Sequence, residues 1–168
     1  LLTSLSSKLA ILGPPRIVAE VAEAAAPGRS LFSASGYVQE GLLTDYVLQP
    51  REPEHCGATG FVIPVTVDDL AANGLLGEAD LAVCWERSVE TLTARRDEIA
   101  GLAIASEERI EAYILYIKDG DGEIVSLRTL VDDGGERLAH LLQRLRAQGM
   151  GAFRLSKVVC DPVDEAER

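Results

Sequence analysis

The stretch "EAYILYIKDGDGEIVSLRTLV", residues 111 to 131, narrows the possible folds more than any other. Two runs rich in β-branched and aromatic residues bracket "KDGDGE", whose glycines and aspartates tolerate the positive φ that tight turns demand. The spacing predicts an antiparallel pair of strands, and "GLAIAS" (101 to 106) supplies a third strand candidate beside it. Immediately afterwards "GERLAHLLQRLRAQG" (135 to 149) places Leu138, Leu141, Leu142 and Leu145 on one helical face, with Gly149 as the stop. Strands followed by an amphipathic helix predict an α+β arrangement, a mostly antiparallel sheet flanked by helices.

The remaining elements fit that class. Leu1, Leu5, Leu9 and Leu12 fall near one face of a helix that Gly13 and two prolines end. "RIVAEVA" (16 to 22) reads as a buried strand, and Pro27 opens a helix carrying Leu31 and Phe32 inward and closing at Gly36. "YVQEG" and "LLTDYVLQP" read as two strands meeting near Gly41, before the Pro- and Gly-rich linker 51 to 59. "FVIPVT" is a strand, and Thr66 caps the helix of "VDDLAANGL" with acids in its first turn. Ser88 caps a second helix over 88 to 99, and "AFRLSKVV" (152 to 159) is the last strand before the acidic tail "DPVDEAER". A weak internal echo relates "LLTSL", Gly13 and "RIVAEV" to "LLQRL", Gly149 and "RLSKVV".

With 47 % apolar residues a full core is within reach. The formal charge of -11 repels phosphate backbones, and no basic cluster offsets it, so nucleic acid is not an expected partner. No apolar run approaches the ~20 residues of a membrane helix. Cys56, Cys84 and Cys160 form no CxxC pair and their number is odd, which points to free thiols, a cytoplasmic location and no metal site. The only methionine is Met150, so Leu1 is read as an internal start, the chain being a piece of something longer.

Helix, glycine, strand, then "PGRSLFSASGY" and a strand pair resembles the C-terminal half of a GNAT-superfamily acetyltransferase. Leu31, Phe32, Gly36 and Tyr37 occupy the last four places of that family's helix signature, approximately N-x-x-x-x-x-L-Y-x-x-x-G-F. Residues 60 to 168 resemble the beginning of a second, degenerate copy: strand, two helices, three strands with a tight turn, helix and strand. The resemblance implies the middle of a tandem protein, with 1 to 50 a C-terminal half-domain and 60 to 168 an N-terminal part. The same elements also suit one composite, permuted domain, since unpaired half-sheets would expose long edges.

What the family resemblance implies chemically is attack of an amine, on a small molecule or a protein, upon acetyl-CoA. A backbone nest at a helix N-terminus holds the pyrophosphate, and a tyrosine commonly reprotonates the thiolate. The pyrophosphate loop, roughly [RQ]-x-x-G-x-[GA], aligns with Asp133, Glu136 and Leu138 in "VDDGGERLA", so Val131, Gly134, Gly135 and Arg137 are the cofactor-binding candidates left. Those acids oppose a phosphate, and a strand-to-helix turn complementing the helix dipole is the plainer reading.

Phe32 stands at the tyrosine place and has no proton to give; Tyr37 and Tyr46 are substitutes, read more simply as packing residues. Glu111, with Glu107 and Glu108, flanks the strand where a general base is expected, though a charged strand end is the default. His55 and Cys56 read as linker residues, His140 as half-exposed helix packing, and Cys84 with Trp85 as core or interface. The alternative to an acetyltransferase is a GNAT-like scaffold without catalysis, forming a homodimer or buttressing a partner domain.

Overall fold

Ala112, Tyr113, Ile114 and Leu115 of β4 (Ile110–Ile117) are all buried. Successive side chains of a strand point to opposite faces, so burial without alternation means that both faces of the sheet are covered. The computed structural model describes residues 2–13, 17–48, 60–76, 84–120 and 122–160. It divides into two units, Leu1–Glu40 and Gly41–Arg168.

The first unit holds α1 (Leu2–Leu12) and α2 (Ala26–Ala34). Proline in the first turn of α2 needs no intrahelical partner, and the chain leaves the helix at Gly36, where the Tyr37 N–H returns to the Phe32 carbonyl at 3.1 Å.

The second unit is an α+β fold on an open, six-stranded sheet: β1 (Leu42–Leu48), β2 (Phe61–Val65), β3 (Ile99–Ala105), β4, β5 (Glu123–Thr129) and β6 (Phe153–Cys160). Across the sheet the order is β1-β6-β5-β4-β3-β2, antiparallel throughout except for the parallel neighbours β5 and β6. A parallel pair needs a crossover, and α5 (Glu136–Ala147) provides it.

On one face Ala103, Tyr113, Leu115 and Val125 pack with Val67 and Leu70 of α3 (Val67–Ala72) and Leu92 of α4 (Val89–Ala94). On the other, Ile104, Ala112, Ile114, Ile124 and Phe153 pack with Leu141 and Leu145 of α5. Each fully buried aliphatic side chain stabilises the fold by about 1.5–3 kcal/mol relative to an exposed one.

Local signals were mostly decisive at helix ends. Thr66 and Asp69 form a reciprocal capping box on α3, and the Ser88 hydroxyl accepts from the Thr91 N–H at 3.2 Å on α4. Gly149 follows α5, and the Met150 N–H bonds back to the Leu145 carbonyl at 3.3 Å while its side chain joins the core beneath the helix.

Several expectations are corrected. Residues 17–22 form no strand: the described part of the first unit contains no strand to pair with, and alanine and glutamate are poor strand formers. "YVQEG" likewise stays irregular, and the strand after it does not fold back on it; β1 pairs with β6 instead, Leu42 opposite Cys160 and Leu48 opposite Phe153. The helix expected to reach 99 stops at Ala94, and Ile99 already belongs to β3, where it is buried. Of the pair expected in a core or interface, Cys84 is buried, whereas Trp85 is 62 % exposed and so is not a core residue. The linker 51 to 59 with His55 and Cys56, and the tail from 161, lie outside the described residues. No helix among the described residues is long and apolar enough to cross a membrane.

Candidate functional site

The loop from β5 into α5 brings together three of the charged residues singled out by sequence. Glu111, at the start of β4, faces this loop because its backbone carbonyl accepts the Leu130 N–H at 2.7 Å, tying the two strand ends together. Arg137, in the first turn of α5, donates from Nε to Glu111 Oε2 at 2.8 Å and from Nη1 to Asp133 Oδ2 at 3.0 Å. All three side chains are largely shielded, with exposures of 14 % for Glu111, 19 % for Arg137 and 9 % for Asp133.

Asp133 is placed by the loop's own geometry. The two glycines that follow take positive φ, Gly135 at 86°, a conformation that side chains with a Cβ resist. This folds the chain so that the Asp133 carboxylate meets the helix end: Oδ1 accepts the Gly135 N–H at 2.9 Å and Oδ2 accepts the Arg137 N–H at 3.0 Å. Free N–H groups at a helix N-terminus are what an external anion would use. Here two of them already face a carboxylate from the same chain.

The electrostatics agree with that geometry. The Arg137 side chain, then its backbone N–H, holds the Asp133 carboxyl below the ordinary aspartate value, and Asp133 followed by Glu111 raises Arg137 above the ordinary arginine value. Asp132 and Glu136 flank the cluster with further negative charge.

The other candidate cofactor residues contribute backbone only. Val131 presents its carbonyl to the Thr129 hydroxyl at 2.7 Å, and Gly134 is exposed with open space around its Cα. Glu107 and Glu108 lie at the exposed turn between β3 and β4, where they line a shallow depression with Ser106, Arg109 and Glu111.

In the first unit Phe32 and Tyr37 meet edge to face, ring centres 5.1 Å apart at 81°. The Tyr37 hydroxyl, past the end of α2, lies 3.1 Å from Ser6 Oγ of α1, a contact in which either oxygen can donate and which ties α1 to the segment after α2. Tyr46 is on β1, one of the two edge strands of the second unit, and is 36 % exposed. His140 is half-buried on α5, and its Nδ1 has no hydrogen-bond partner. Cys84 is a buried free thiol.

One polar side chain escaped the sequence reading. Arg87, in the 3-10 turn Trp85–Arg87, sends its Nη2 to the carbonyl of Ser156 on β6. Nothing in "CWERS" signals a partner so distant along the chain. Asp133 lies in the loop before α5, so its pairing with Arg137 was likewise not read from the sequence, although both residues were singled out there.

Set against known proteins, the chain matches no family model, no curated protein and no solved structure.

Proposed function

We propose that this chain belongs to a GNAT-type N-acetyltransferase, a protein that moves an acetyl group from acetyl-CoA to the amine of a small molecule or protein. Within it, the second unit serves as a non-catalytic partner domain, buttressing or pairing with the part that does the chemistry. The observation that carries the reading is the order β2-α3-α4-β3-β4-β5-α5-β6, with its one parallel contact where α5 crosses between β5 and β6. That is the order in which the family resemblance has the domain begin.

The non-catalytic role of the second unit rests on Asp133. Its carboxylate takes the N–H groups of Gly135 and Arg137 at the place where the resemblance expects phosphate. Phe32 gives the first unit no proton at the place where the resemblance expects the tyrosine. In this reading the protein works in the cytoplasm, where a free thiol such as Cys84 stays reduced.

Calorimetric titration of the 168-residue chain with acetyl-CoA tests the division of labour. The expected result is no measurable heat and no thermal shift. Stoichiometric micromolar binding would reject the non-catalytic role and return Val131, Gly134, Gly135 and Arg137 to consideration as a working cofactor loop.

A further inference from the structure

β1 and β2 stand at opposite edges of the six-stranded sheet and are consecutive along the chain. Tyr46, Leu155, Ile124, Tyr116 and Ala100 form one row across that sheet, each paired with the next. Counted from this row, Leu48 at the end of β1 lies two residues to one side. Phe61 at the start of β2, opposite Ala105, lies five residues to the other. The two strands run in the same direction, so their connection leaves one corner of the sheet and returns at the diagonal one.

Five strand spacings of about 4.8 Å and seven residue rises of about 3.3 Å separate those corners, a straight line of about 33 Å. Thirteen residue steps lead from Leu48 to Phe61, and they reach at most about 43–47 Å. A path round the end of the sheet and along its far edge needs about 47 Å. A path across a face must instead clear α5, or α3 and α4, each helix about 10 Å thick. Closing the sheet within one chain therefore uses nearly all the reach that this connection has.

β1 buries little in return. None of its residues is buried, residues 45–48 are exposed, and among the described strands only β6 adjoins it. Without β1, the backbone N–H and C=O groups of β6 would become the bare edge of the sheet, next to the fully buried Phe153. An identical strand from another copy satisfies β6 in the same register and removes the long crossover. We propose that β1 is exchanged between two copies of this chain, each β1 completing the other copy's sheet beside β6. The exchange is reciprocal, so it closes at two copies instead of running on as a filament. It stands independently of the acetyltransferase reading.

Val47 and Arg154 are partners across the seam and both are exposed, so V47C/R154C sets two thiols opposite each other without touching the core. The full chain would also carry Cys56→Ser and Cys160→Ser, leaving only the buried Cys84 besides the new pair. Oxidation should give a covalent dimer on a non-reducing gel, and light scattering should give the natural chain twice the mass of one copy. Inserting about ten Gly/Ser residues between Leu48 and Phe61 should weaken the dimer at least about tenfold, because a slack connection favours pairing within the chain. A covalent monomer overturns the exchange, even if the natural chain dimerises through another surface. A monomeric natural chain overturns it as well. If V47C/R154C does not fold or does not link, the insertion decides: weakening supports the exchange, and an unchanged dimer overturns it.

Discussion

Arg137 binds the Asp133 carboxylate twice, through its backbone N–H and through its guanidinium, both at 3.0 Å from the same oxygen. The result is a closed ring of interactions at the start of α5, anchored to β4 by Glu111. Loop, helix and strand are thereby fixed by residues that sequence comparison alone would assign to separate elements.

This ring makes stability depend on pH in a definite direction. The folded state holds Asp133 below its ordinary value, so the unfolded chain takes up the proton first as pH falls. Its contribution is complete above the ordinary value of 3.8 and is lost as pH drops through the folded-state value. Thermal melts from about pH 6 to about pH 3 should show a steeper decline for the natural chain than for D133N. Some slope should survive in D133N, because hydrogen bonds from Thr66 hold Asp69 down in the same way.

Leu141 is fully buried between α5 and the sheet. Leu141→Ala should cost about 2–5 kcal/mol in urea unfolding, a large part of an ordinary domain's stability. Leu5→Ala, at a position 50 % exposed on α1, should change the result by less than about 0.5 kcal/mol.

Gly122 has φ 76°, and a Cβ there would stand 1.9 Å from the Ala152 carbonyl oxygen. Neither the strain nor the clash with backbone is relieved by a rotamer change. Gly122→Ala should therefore lose about 3 kcal/mol or more, against about 1–2 kcal/mol for Gly134→Ala, where φ is also positive but the space is open. Equal losses in parallel denaturant titrations would show that the turn yields at Ala152.

Tyr37 and Ser6 offer a test of structure against chemistry in the first unit. Tyr37→Phe and Ser6→Ala should each destabilise that unit by about 0.5–1.5 kcal/mol, and the double variant should lose less than their sum. Hydrogen exchange in α1 and α2 is the suitable readout. Strict additivity would mean that the 3.1 Å contact carries no coupling.

The second unit was legible in sequence wherever local chemistry decides. "KDGDGE" marked the β4–β5 turn, Thr66 and Ser88 marked helix starts, and the leucine face of α5 gave its buried side correctly. Misreadings arose where the deciding contact is remote. "RIVAEVA" alternates like a strand but finds no strand beside it, and β1 chooses β6 over its chain neighbour "YVQEG". At the site, the charge of Asp133 is legible in the sequence, and its partners are not. Its capture of the N–H groups of Gly135 and Arg137 depends on two positive φ angles that no residue pattern specifies in advance.

The pairing of β1 with β6 has a kinetic consequence. Strands β3, β4 and β5 meet through short turns, so that meander forms with little loss of chain entropy. β1 must await a partner made at the far end of the chain, and ordering it closes the longest loop in the sheet. Refolding should therefore protect the amides of β4 before those of β1, with the seam between β1 and β6 the last to close and the most sensitive to chain truncation.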